Sequence, residues 1–242
     1  MKRYAILLGH NDGIISTPLD LSRMKSFLMS NKGGAWRESE IYCKQNISYS
    51  TLISLIATVK SEEYDYLLFY FSGHGEYRRN TVIELNPKHE TIEERFLSKL
   101  AVRQLNIFDC CRAEEDDSVI TESMESIRNF SAQRESATIR RMYDNRIIAA
   151  LPQQMSLYSC RIGEYSNDFG DGGIFTTHLL ESVDKFNDDF LLVSEALSFA
   201  YQPTIDEAAK HGEKQTPDYF MPKFRSSQQL IFAINDKYTR SL

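Results

Sequence analysis

The chain predicts an α/β fold, with a mostly parallel sheet covered by helices on both faces, and two observations carry that prediction. Short apolar runs alternate with helix-patterned segments along most of the length. Two of those runs also stop abruptly at reactive side chains. Residues 65–71 (Asp-Tyr-Leu-Leu-Phe-Tyr-Phe) and 104–108 (Gln-Leu-Asn-Ile-Phe) are short, aromatic and aliphatic, and bounded by polar segments, as buried strands are. The first leads into Ser72-Gly73-His74-Gly75 and the second into Asp109-Cys110-Cys111-Arg112. If the two strands run parallel in one sheet, His74 and a cysteine emerge from its C-terminal edge, where open α/β sheets form their sites. A thiol beside an imidazole is the minimal equipment of a cysteine nucleophile: the base takes the proton and the thiolate attacks.

The elements follow in order. Residues 4–9 read as the first strand, ending in a polar turn over 9–13. Pro18 suits the first turn of a helix, and Leu19, Met24, Phe27 and Leu28 continue an apolar stripe to about residue 30. Gly33-Gly34 breaks the chain before a second strand at 40–43. Leu52, Leu55, Ile56 and Val59 define a helix over Tyr49–Glu62, which leads to the strand at 65–71. Residues 81–85 read as a small hairpin arm and 92–100 as a third helix before the strand at 104–108. Residues 112–146 break the alternation. They open with Glu114-Glu115-Asp116-Asp117, later carry Arg128, Arg134, Arg140, Arg141 and Arg146, and read as a long polar connection with at most one short helix. A strand at 155–160, a Gly/Asp-rich loop at 163–173, helices at 174–185 and Val193–Lys210, and a strand at 229–234 complete the pattern.

Composition narrows the function. A chain of 242 residues can bury a substantial core, and its 42% hydrophobic and 26% charged residues are ordinary for a globular protein. A net charge of −6 without a basic stripe speaks against a nucleic-acid surface. The four cysteines (Cys43, Cys110, Cys111, Cys160) form neither a disulfide framework nor a zinc knuckle, which fits reduced thiols in the cytoplasm. The apolar run 4–8 is too short for a signal peptide, and no stretch is long enough to span a bilayer, so no membrane partner is expected.

Taken together, these motifs resemble the caspase-like clan of cysteine peptidases, closest to its metacaspase and bacterial orthocaspase branch. The resemblance rests on the Ser-Gly-His-Gly turn and on the Asp-x-Cys that ends the next strand. It also rests on Tyr158-Ser159-Cys160 followed by residues 168–176 (Asp-Phe-Gly-Asp-Gly-Gly-Ile-Phe-Thr), on Gln215-Thr216-Pro217, and on the acidic-to-basic insert. It covers nearly the whole chain and implies a three-layer α-β-α sandwich around a six-stranded sheet, forming a single domain over 1–242. Residues 1–111 would be the large-subunit-like part, 112–146 the linker and 147–242 the small-subunit-like part. The continuation after the cysteine, Arg112-Ala113 and four acids, departs from the family pattern.

The resemblance implies His74 as general base and Cys111 as nucleophile, with the backbone N–H groups of Gly75 and Cys111 facing the oxyanion. Cys110 reads as packing, because consecutive side chains at a strand end point opposite ways. Asp109 lies beside the nucleophile, Asp20 resembles the family's second pocket carboxylate, and Ser72 either lines the pocket or closes the turn. Two carboxylates favour a substrate guanidinium and repel an aspartate, so cleavage after Arg or Lys is expected. Arg140 and Arg141 then become candidate self-cleavage positions. Many metacaspases use Ca2+. The groups Glu114–Asp117 and Asp168 with Asp171 are available, yet no spacing specifies a calcium loop and no cofactor is required. The partners expected are protein or peptide substrates. The alternatives are a catalytically silent adaptor, or a proenzyme effector in a bacterial stress or antiviral response that waits for a partner protein, an ion or a cleavage. His10 shares the rim but reads as a turn residue.

Overall fold

The computed structural model describes residues 1–14, 16–113 and 137–235. The first half contains β1 (Arg3–Gly9), α1 (Thr17–Met29), β2 (Ile41–Gln45), α2 (Tyr49–Glu62) and β3 (Tyr66–Ser72). A small arm follows, made of β4 (Gly75–Tyr77), β5 (Thr81–Glu84) and β6 (Thr91–Glu93), and then β7 (Arg103–Asp109). The second half contains α3 (Ala137–Ala149), β8 (Gln153–Tyr158), α4 (Ile174–Glu181), β9 (Phe190–Leu192), α5 (Val193–Lys210), β10 (Asp218–Phe220) and β11 (Ile231–Ile234).

Every residue of β3 is buried, which requires cover on both faces of the sheet. The six-stranded order is β10-β8-β7-β3-β1-β2, parallel throughout except for the antiparallel edge strand β10. Alternate side chains divide between two apolar clusters. On one face Leu7, Tyr70, Ile107 and Leu157 pack against Met24 of α1, Tyr143 of α3, Phe175 of α4 and Ala196 of α5. On the other, Leu8, Phe69, Phe71 and Phe108 pack against Leu52 and Ile56 of α2 and Ile83 of the arm. Helices on both sides of one sheet make the three-layer sandwich. Local signals start and stop the helices. Pro18 lies in the first turn of α1, and the Ser48 side chain caps α2 by accepting from the Thr51 N–H at 3.2 Å. Among the described residues no helix is long and apolar enough to cross a membrane.

Two expectations need correction. The third helix expected at 92–100 is instead β6 followed by a single 3-10 turn, Glu94–Leu97. Its apolar residues Ile92, Leu97 and Leu100 still turn inward, but from an extended strand and a bend. The polar connection also ends well before residue 146, because 137–149 is α3. Ile139, Tyr143 and Ile147, four apart, form a narrow stripe that buries against the sheet. Two arginines of α3 tie it to the rest of the fold. Arg140 pairs with Glu40 and donates to the Ala35 carbonyl at 2.9 Å, and Arg146 donates to the carbonyls of Gln229 (2.9 Å) and Ser226 (2.8 Å). Arg140 and Arg141, the self-cleavage candidates, are the fourth and fifth residues of α3 and so are helical rather than extended. The group Glu114–Asp117, with Arg128 and Arg134, lies outside the described residues. The strand expected at 229–234 is β11, which pairs with β9 apart from the main sheet.

Candidate active site

Three parallel strands end in one register row. Gly9 of β1 lies beside Ser72 of β3, and Ser72 lies beside Asp109 of β7. The chain continues past that row as His10, Gly73-His74 and Cys110-Cys111, so the imidazole and the thiols leave from the same C-terminal rim. Hydrogen bonds hold the row together: His10 N–H donates to the Ser72 carbonyl and Gly73 N–H to the Asp109 carbonyl, both at 3.1 Å.

The two glycines of the turn allow close approach. A Cβ at Gly73 would lie 2.8 Å from the His10 carbonyl oxygen, and φ there is +149°, a region side chains avoid. A Cβ at Gly75 would lie 2.7 Å from the Cys110 sulfur and 3.0 Å from the Cys111 carbonyl oxygen. The Gly75 backbone thus runs directly over the two cysteines, where its N–H could face an oxyanion. Gly75→Ala is accordingly expected to shift the Cys110-Cys111 turn and lower peptide turnover about a hundredfold, with the far-UV CD spectrum retained. Turnover within threefold of the parent would refute this use of Gly75.

His74 is half-buried, and its Nε2 lies 2.6 Å from the main-chain carbonyl oxygen of Asp12. A carbonyl only accepts, so Nε2 carries the proton and Nδ1 is the basic nitrogen. The Cys111 sulfur lies 3.8 Å from the Ser166 carbonyl oxygen. Burial pushes the Cys111 thiol above its ordinary range, with the Ser166 contact partly offsetting this. The resting sulfur is therefore protonated at neutral pH and needs a base. Among the described residues no hydrogen bond joins His74 to Cys111, and such bonds commonly tighten only with substrate in place. Cys110 is 1% exposed, packs with the second cluster, and has its thiol pushed far up by burial.

Asp20, Ser72 and Asp109 converge beneath this rim. The Ser72 hydroxyl donates to Asp20 Oδ2 at 2.8 Å, and Gly173 N–H donates to both Asp20 oxygens at 3.1 and 3.2 Å. Asp109 accepts from the Ser166 hydroxyl (2.6 Å), the Thr176 N–H (3.1 Å) and the Thr176 hydroxyl (2.6 Å). Both acids thus sit at the N-terminal end of α4, whose free N–H groups favour negative charge. They are nonetheless 1% and 4% exposed. Burial first, and the neighbouring Asp109 second, push Asp20 up to about 8; Asp109 is also raised by burial. Among the described residues neither acid forms an ion pair, the nearby Arg23 guanidinium donating instead to the Asp171 carbonyl and the Thr177 hydroxyl, and the segment Gly172-Gly173 closes the pair off. A Cβ at Gly173 would lie 2.4 Å from Asp109 Oδ2, and one at Gly172 2.6 Å from Asp20 Oδ1.

The loop over 163–173 is tied down by residues to which sequence reasoning gave no role. Gln215 accepts from the Asn167 N–H at 2.8 Å and donates to the Ser159 carbonyl at 3.2 Å. Glu164 accepts from the Thr216 N–H at 2.7 Å, and its carbonyl accepts from the Arg112 N–H at 3.0 Å. Arg112 is buried, with its guanidinium 3.9 Å from the Tyr158 ring centroid and donating to Asp218 at 3.0 Å. The Gln-x-Pro motif was a visible signal for the Gln215 tie and leads straight into β10. The Asp12 carbonyl had none, because a main-chain acceptor leaves no mark on residue type.

Among the described residues no group of three or more His, Cys, Asp or Glu is placed to hold a metal ion. Asp168 accepts from the Gly170 N–H at 2.7 Å, and the main-chain carbonyl of Asp171 accepts from Arg23.

Comparison with known proteins agrees with this architecture. No curated protein sequence matches the chain. Among solved structures, the crystal structure of caspase-1 from Spodoptera frugiperda superposes with a TM-score of 0.58 at 17% identity, over 90% of this chain and 86% of that one. The profile of peptidase C14, the caspase domain, matches residues 2–226. Its span takes in the β1 rim, both reactive turns and the Gln-x-Pro segment, and the chain belongs to the caspase-domain family of peptidases.

Proposed function

We propose that the chain is a cysteine endopeptidase of metacaspase or orthocaspase type that cleaves after Arg or Lys with a His74–Cys111 dyad. The observation that carries this reading is the buried pair Asp20–Asp109 beneath the rim, whose carboxyl groups form no ion pair among the described residues. A substrate guanidinium can form charge-assisted bonds to such a pair, whereas an aspartate would meet like charge. In the reaction, His74 Nδ1 takes the Cys111 proton as the sulfur attacks the scissile carbonyl carbon. The oxyanion faces the Gly75 and Cys111 N–H groups. His74 then gives its proton to the departing amine, leaving a thioester. Water attacks the thioester with His74 again as base, releasing the carboxylic acid and the free thiol.

The sealed pocket favours a further refinement, a proenzyme. Gly172-Gly173 must move before a guanidinium can reach the acids, and a partner protein, Ca2+ or cleavage in the linker would each supply a trigger. Self-processing then falls ahead of α3, where Arg128 and Arg134 lie. Four free cysteines among the described residues fit a reducing cytoplasm.

Peptide reporters ending in Arg, Lys or Asp, assayed with and without Ca2+, test the reading. Turnover of the Arg and Lys reporters at least about a hundred times that of the Asp reporter is expected. An Asp preference overturns the specificity. A chain that neither turns over any reporter nor labels at Cys111 with an arginyl chloromethylketone is the adaptor instead.

A further inference from the structure

Behind the His74 ring lies a second imidazole that the dyad does not use. His10 is 1% exposed, yet neither of its ring nitrogens has a hydrogen-bond partner among the described residues. Native proteins rarely leave a buried polar group unpaired, and such a group asks for an explanation. The His10 ring stands edge-on to that of His74, with centroids 5.1 Å apart and planes at 66°. Its backbone is fixed: the N–H donates to the Ser72 carbonyl at 3.1 Å, and the carbonyl accepts from the Thr17 hydroxyl at 3.3 Å.

Glu84 of the arm faces the same ring. Its Oε2 lies 3.9 Å from His10 Nδ1, beyond hydrogen-bond reach but well within range of charge. Glu84 is itself anchored, since its N–H donates to the His74 carbonyl at 3.0 Å and its Oε1 lies 2.5 Å from Nδ1 of the exposed His89. The titratable groups around His10 are thus Glu84, His74, Asp12 and His89. Burial is the largest influence on His10 and disfavours its charged form, with Glu84 opposing it.

We propose that His10 and Glu84 are positioning residues for His74: the His10 ring fixes the angle of the base, and the Glu84 carboxylate, acting across it, favours the imidazolium that forms once His74 takes the Cys111 proton. This inference rests on the dyad reading. No proton passes to Glu84 or His10, and the step they assist is the transfer from Cys111 Sγ to His74 Nδ1.

The test uses the full chain with His10→Ala, His10→Phe and Glu84→Gln. The readouts are kcat and KM on an Arg reporter and the alkylation rate of Cys111 by iodoacetamide, each followed from pH 5 to 9. His10→Ala is expected to lower kcat about tenfold with KM within twofold, and His10→Phe, which restores a ring, to recover most of that loss. Glu84→Gln is expected to move both the acid limb of kcat and the alkylation profile down, by about half a pH unit, a change that a purely structural role would not produce. Parent-like kcat in His10→Ala, or unmoved profiles in Glu84→Gln, overturn the inference. Should His10→Ala fail to fold, His10→Phe and Glu84→Gln still decide it. If the parent turns over no peptide, the alkylation profiles decide alone: a shift in Glu84→Gln supports the inference while the peptidase reading falls, and no shift sinks it.

Discussion

Cys111→Ala is expected to lower peptide turnover by at least about 10,000-fold, whereas Cys110→Ala should leave it within about threefold. The two sulfurs are adjacent in sequence and face different surroundings. Cys110 is enclosed by the second apolar cluster, directly beneath the Gly75 backbone, and burial holds its thiol protonated at any working pH. Removing that sulfur vacates a small apolar space, at a cost of about 1 kcal/mol. Cys111 lies partly open at the rim, two residues beyond Asp109 as His74 lies two beyond Ser72. Its thiol is also raised by burial, so the nucleophile is made by proton transfer during attack rather than held as a standing thiolate. Alkylation of Cys111 by iodoacetamide should therefore be slow at pH 6 and climb toward pH 9. Loss of turnover in Cys110→Ala with activity retained in Cys111→Ala would reverse the assignment.

The strands that build this rim were the most legible part of the chain. Residues 65–71 and 104–108 are short and apolar, as buried strands are, but their parallel pairing had to be assumed, since the segment between them holds the arm and a 3-10 turn rather than the expected helix. The convergence of Asp20 with Ser72 and Asp109 was legible only through the family motif, because 52 positions separate Asp20 from Ser72 and no local pattern reports such a pairing. Where reading failed, the physical cause is plain. Ile92, Leu97 and Leu100 have spacing compatible with one face of a helix, but a strand followed by a 3-10 turn buries the same three. In α3 the apolar stripe is only Ile139, Tyr143 and Ile147, and the intervening arginines, whose partners Glu40, Ala35 and Gln229 are remote in sequence, made it look like linker. β10 contributes three residues at the sheet edge, with Tyr219 and Phe220 56% and 64% exposed, too little for an alternation signal.

The second large effect concerns the pocket acids, where activity and stability should move in opposite directions. Asp20→Asn keeps the Ser72 hydrogen bond available while removing a charge, and kcat/KM for an Arg reporter is expected to fall about 100- to 1,000-fold. The stability change has a definite sign. Asp20 titrates near 8 in the folded chain against a reference of 3.8, chiefly because it is buried and secondly because Asp109 is close. Between those values the folded chain holds a proton that the unfolded chain has lost, so stability is greatest below about pH 4 and declines as pH rises to about 8. Asparagine cannot ionise and escapes that decline. Asp20→Asn should therefore be no more stable than the parent at pH 4, and about 2 kcal/mol more stable at pH 8, read as a higher Tm in paired melts. The same proton governs binding, because a guanidinium needs the ionised acid and must displace it. KM for the Arg reporter should accordingly fall as pH rises from 6 to 8 in the parent and lose most of that dependence in Asp20→Asn. An asparagine variant that kept both the Arg preference and the pH-dependent KM would place the cation elsewhere in the fold.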